Sequence, residues 1–169
     1  MKVSDLLVEA YGRILGSVGP AVDGLTEDQL TQRVDPNANT IAWLVWHLAR
    51  VQDDHVVGVF GGEQVWTSDG WSDRFALPFD PSEIGYGFTS EQVGQVRAPS
   101  GLLLGYYEAV HARTLEHLRG LGDDDLDRVV DASYDPPVTV AVRLVSVLTD
   151  DLEHVGQAAL LRGVIERAA

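Results

Sequence analysis

A bundle of four long helices, an all-α fold, is what this sequence predicts, and three observations predict it. Apolar residues recur at three- and four-residue spacings through four long stretches. Two connections between those stretches are long and no internal repeat is present, so the bundle is not a plain up-and-down hairpin series. The 169 residues, 45% hydrophobic and 22% charged, have the size and composition of one globular domain spanning 1–169, which needs no disulfide or structural metal to stay folded.

The first helix is expected over residues 4–22, where Leu6, Leu7, Ala10, Ile14, Leu15 and Val18 repeat with helical period. Gly24 stops it, and a short turn follows with Thr26 as N-cap and Gln29 at the capping-box position. The loop through Pro36 and Asn39 ends at Thr40, a second N-cap, which opens helix two from Ile41 to Phe60, rich in Trp43, Trp46 and Leu48. Residues 61–99 change character, with Gly and Pro throughout and aromatics at Trp66, Trp71, Phe75, Phe79, Tyr86 and Phe88. So long a connection is usually functional, and its aromatics argue against disorder; it reads as a lid with one short helix over residues 90–96. Helix three begins at Pro99-Ser100, carries Leu102, Leu103, Tyr106, Val110, Leu115 and Leu118, and stops at Gly120-Leu121-Gly122. An acidic connection then leads to Pro136-Pro137. Helix four is expected over residues 138–167: its β-branched start resembles a buried strand, but Leu144, Leu148, Leu152, Val155 and Ala159 keep helical period for four more turns.

The formal charge of −14 repels phosphate backbones and anionic lipid surfaces, so nucleic acid and membrane are not expected partners. The start, Met1-Lys2-Val3-Ser4-Asp5, lacks the layout of a signal peptide, which places the expected location in the cytoplasm. There is no cysteine, so thiolate ligands, Fe–S clusters and a cysteine nucleophile are excluded. Any thiol chemistry must borrow its thiol from a small molecule. The broad apolar helix two leaves a homodimer through a spare face open.

Asp150 and His154, four apart, share one helix face and can clamp a single divalent ion. On a helical wheel they border the apolar stripe of Ala141, Leu148, Leu152, Val155 and Ala159, with Gln157 and Arg143 on the same side. Helix two offers two histidines, His47 and His55, and the pattern alone does not choose between them. His111 and His117, six apart, fall on different faces and share no ligand role. The runs Asp53-Asp54 and Asp123-Asp124-Asp125 lack the alternating spacing of a calcium loop and read as solvated faces. No phosphate loop, nucleophile elbow or dinucleotide fingerprint is present.

The stretch Asn39-Thr40-Ile41-Ala42-Trp43-Leu44-Val45-Trp46-His47-Leu48-Ala49 resembles the second-helix signature of the DinB-like superfamily, which includes the metal-binding domain of mycothiol-dependent maleylpyruvate isomerase. The run Asp150-Asp151-Leu152-Glu153-His154-Val155-Gly156-Gln157 is similar to the other half of that signature, and helix order and length agree over nearly the whole chain. The resemblance implies a divalent metal held by His47, Asp150 and His154. Asp150 stands where many members have a third histidine, though the isomerase branch also uses a carboxylate there, and Gln157 stands where others often have histidine. Two histidines and a carboxylate suit zinc and also accept nickel, iron or manganese.

An open position on such a cation would acidify a thiol as it acidifies water. The implied function is a metal-dependent thiol S-transferase joining a low-molecular-weight thiol such as mycothiol to a small electrophile, with Gln157 and Arg143 as substrate contacts and the aromatic segment as cover. The alternatives are a metal-dependent hydrolase or isomerase using bound water, and a non-catalytic metal-binding stress-response domain.

Overall fold

Tyr11, Ile14, Val18, Ala21 and Val22 line one side of the first long helix, and burying that stripe is what seats it. In the computed structural model, which describes residues 2–168, this helix is α1 (Val3–Val22). The short α2 (Glu27–Leu30) is capped as its sequence predicts: Thr26 Oγ1 accepts from Gln29 N at 3.2 Å and Gln29 Oε1 accepts from Thr26 N at 3.0 Å. Thr40 opens α3 (Ile41–Phe60) by accepting from Trp43 N at 3.1 Å.

Every residue of α3 from Ile41 to Asp53 is buried, because this helix is covered from all sides. The other long helices are α7 (Ser100–Arg119) and α8 (Val140–Ala168). α3 packs on both α7 and α8, and α1 packs on the same two, so α1 and α3 lie across one diagonal of the bundle. The chain therefore crosses the bundle between α1 and α3, as expected of an arrangement that is not a simple hairpin series. No helix among the described residues is long and apolar enough to cross a membrane.

Residues 61–99 differ from the expected lid. Besides α6 (Ser90–Gln95), which matches the predicted short helix, they form α4 (Val65–Ser68) and α5 (Trp71–Phe75). Trp66, Trp71 and Phe75 are buried in the main core, packed around Tyr106 of α7. Most of the segment's aromatics are thus a fourth wall for α3 rather than a cover; Tyr86, 56% exposed, is the one that stays outside.

Ahead of α8 the chain makes a small antiparallel hairpin, β1 (Val129–Asp131) with β2 (Val138–Thr139), pairing Val129 with Thr139 and Asp131 with Val138. Val138 and Thr139, read as helix from the sequence, belong to this strand; β-branched residues fit an extended ladder at no helical cost. The inward face of α8 is also rotated from the expected stripe. Val140, Leu144, Val147, Asp151, Val155, Ala158 and Ile165 are buried, whereas Leu152 is 47% exposed. Val142, Val145 and Leu160 leave α8 apolar on its outer side too, so period alone could not orient it.

Candidate metal centre

His47 on α3 and Asp150 with His154 on α8 face each other across the contact between these two helices. One ligand atom from each lies within 4.8 Å of the other two, a spacing that small side-chain rotations bring to the roughly 3.4 Å between donors on one tetrahedral zinc ion. The two imidazole rings are 5.0 Å apart between centroids.

Both rings are oriented by their Nδ1 atoms. His154 Nδ1 donates to the Asp150 main-chain oxygen at 2.8 Å, and His47 Nδ1 donates to the Ile84 carbonyl. Each contact leaves Nε2 as the free ring nitrogen, the arrangement metal-bound histidines use. Burial lowers the His47 pKa below the ordinary imidazole value, against the pull of the Ile84 hydrogen bond, so its lone pair is available at neutral pH. Asp150 supplies the charge, and its Oδ2 is buried with no hydrogen-bond partner. A buried carboxylate oxygen without a hydrogen-bond partner, beside two imidazoles, suits coordination to a divalent cation. The donor set therefore fits a divalent metal.

Aromatic rings surround His47. Trp43 stacks on it at 4.5 Å and 14°, and Tyr86 meets it edge-on at 5.2 Å. His55, two turns further along α3, is outside the group: its Nδ1 is 3.1 Å from Asp54 Oδ2 and its ring lies 6.4 Å from Tyr86. The choice between the two histidines, open in the sequence, goes to His47 on geometry. Arg143 is held by Asp131 at 3.3 Å. With Asp54, His55 and Asp131 it lines a cavity of about 140 Å³. Gln157 is exposed on α8, one turn beyond His154. Neither the Arg143 cavity nor a separate one of about 280 Å³, lined by Trp46, Trp66 and Phe79, includes any of the three ligand candidates.

The profile of the Mycothiol-S-transferase family matches residues 7–167. The chain belongs to this family. Family membership makes it a thiol-transferase type of enzyme and agrees with the DinB-like signature in its second and last long helices. Its structure is also similar to one titled "Crystal structure of the conserved protein of locus from Enterococcus faecalis", at 31% identity and a TM-score of 0.90, covering 98% of each chain. No curated protein matches. As a thiol transferase without a cysteine of its own, this family member uses a small-molecule thiol as substrate.

Several residues at the site were not singled out by spacing. Asp53, expected on a solvated face, is 3% exposed and caps α4, accepting from Val65 N at 2.9 Å, Trp66 N at 2.8 Å and Tyr106 Oη at 2.9 Å. Burial raises its pKa above the usual carboxylate range, and these donors with Arg50 work against the rise. Asp151, beside Asp150, is fully buried with both oxygens unpartnered, and burial pushes its pKa well up. Arg50 is likewise fully buried on α3. The signal for Arg50 and Asp53 was an opposite-charge pair three apart on an otherwise apolar helix. Tyr86 was read only as one of six aromatics in a covering segment, and nothing in the sequence set it apart as the one that meets His47.

Proposed function

We propose that this protein is a metal-dependent thiol S-transferase, joining a low-molecular-weight thiol, mycothiol by family, to a small electrophile. The observation that carries the proposal is the convergence of His47, Asp150 and His154 around the unpartnered Oδ2 of Asp150. A divalent cation, with zinc favoured by two nitrogens and one carboxylate, would supply Lewis acidity that lowers the pKa of a thiol reaching it.

The chain's own groups do the rest. His47 and His154 offer Nε2 because Ile84 and Asp150 carbonyls occupy their other nitrogens. Asp150 adds the negative charge that lowers the net charge of the loaded site. Trp43 and Tyr86 form apolar walls against which a flat electrophile can rest. The cavity lined by His55 and Arg143, whose His55 ring lies 6.4 Å from Tyr86, has Arg143 neutralised by Asp131 and offers donors and acceptors of both signs to the polar body of the thiol. In the transfer the thiol sulfur forms a bond to the electrophilic carbon and its proton passes to solvent. In a substitution the leaving group departs with the bonding pair.

The test is a conjugation assay with several small thiols and a reactive aromatic electrophile, run on protein of measured metal content. Thiol-dependent product that disappears in His154→Ala, together with its metal, is the expected result. Product formed equally without thiol would replace the transferase by bound-water chemistry, and full metal occupancy in His47→Ala or His154→Ala would overturn the ligand assignment.

A further inference from the structure

Residues 81–85 form a strap that crosses α3, and two α3 side chains take three of its carbonyls. Arg50 Nη2 donates to Pro81 O at 3.0 Å and Arg50 Nε to Glu83 O at 3.2 Å. His47, one turn earlier, donates to Ile84 O. No backbone N–H among the described residues bonds to any of these three carbonyls. The strap then presses Gly85 onto the imidazole, where a Cβ would stand 2.6 Å from His47 Nδ1.

Arg50 is 0% exposed, and a cation removed from water requires donors to be matched on every side. Its Nη1 donates to Gln64 Oε1 at 2.8 Å, and its guanidinium lies 4.8 Å from the Trp66 ring centre. Asp53 Oδ2, at 3.9 Å, supplies the opposite charge. Nη1 also reaches Tyr106 Oη at 3.4 Å, while Nε and Nη2 go to the strap, so the Arg50 fork sets where the strap lies.

From this geometry we infer that Arg50 is a positioning residue for His47: by gripping the carbonyls on either side of Ser82 it holds the next one, Ile84 O, where it fixes the Nδ1–H tautomer and leaves Nε2 for the ion. The inference rests on the metal site proposed above. Arg50 touches neither the ion's ligand atoms nor substrate; it acts through two residues of backbone.

The test uses the full-length protein. Arg50→Lys keeps the charge, but one ammonium cannot bridge both carbonyls in the fork geometry. Ile14→Ala, a core truncation on α1 remote from the strap, serves as the control for general loss of stability. Nitrogen-15 NMR of the histidines in metal-free protein, above the imidazole pKa, reads the tautomer. Competition titration with zinc and the absorption spectrum of the cobalt-loaded protein read the site. In Arg50→Lys, His47 is expected to become a mixture of tautomers, zinc affinity to fall about 10–100-fold and the cobalt bands to change, while Ile14→Ala keeps the wild-type pattern. A wild-type tautomer in Arg50→Lys overturns the inference, as does an Ile14→Ala protein that changes as much. A changed tautomer with unchanged zinc affinity overturns the link to the metal. Failure of the wild-type protein to take up either metal would sink the metal site instead, while the tautomer comparison still decides what Arg50 does.

Discussion

Gly85 and His47 are in closer contact than any side chain would permit: a Cβ on Gly85 would fall 2.6 Å from His47 Nδ1 and 3.1 Å from the Trp46 ring, with φ at +103°. Gly85→Ala therefore strains the backbone and pushes the strap off the imidazole. The expected loss is at least about 1–3 kcal/mol of stability from the backbone conformation, accompanied by weaker zinc binding. Urea unfolding and zinc titration check this; unchanged affinity would show that the strap does not hold His47.

Asp53→Ala removes the cap of α4 and leaves the buried Arg50 without its counter-charge. Breaking a buried pair from one side costs about 3–5 kcal/mol, and Asp53→Asn, which keeps an acceptor oxygen, is expected to cost less. Denaturant midpoints for the two variants measure the difference. Equal, small losses would mean that Asp53 carries no charge in the folded protein.

Tyr86 lies at the open side of the site and touches no ligand atom required for the ion. Tyr86→Ala is expected to raise the KM for an aromatic electrophile about 3–10-fold, as loss of an aromatic contact worth about 0.5–1.5 kcal/mol implies, while leaving metal content unchanged. Steady-state kinetics with aromatic and aliphatic electrophiles test it. An equal effect on both classes would remove Tyr86 from electrophile recognition.

His111 and His117 of α7 both have pKa values lowered by burial, with Arg119 and Arg113 respectively adding to the effect. The unfolded chain takes up these protons first, near pH 6.5. Their contribution to stability is therefore complete above that pH and is lost as pH falls through the lower folded values. The double variant His111→Gln/His117→Gln should show a shallower loss of stability than the wild type between about pH 6.5 and 5. Urea midpoints across that window decide it, and parallel curves would refute the assignment.

The bundle was legible because its helices announce themselves locally. Thr26 and Thr40 cap as their sequence contexts require, and α1, α3, α6 and α7 begin and end within a residue or two of their predicted bounds. The pairing of Asp150 with His154 was legible for the same reason, since four residues make one turn of any helix. What was not legible depended on which side of each element the rest of the chain covers. Asp53 reads as a surface acid until α4 is placed over it, and Trp66, Trp71 and Phe75 read as a lid until Tyr106 is found beneath them.

The sequence by itself determined an all-α bundle, the absence of any cysteine to act as its own thiol, and one half of a candidate ligand set on the last helix. Only the tertiary structure decided that His47 rather than His55 meets that half, because both lie on the same apolar helix and differ only in what stands opposite. It also decided that α8 turns Asp151 inward and that residues 81–85 take their place under Arg50. Those outcomes depend on contacts between segments tens of residues apart, and no local period records them.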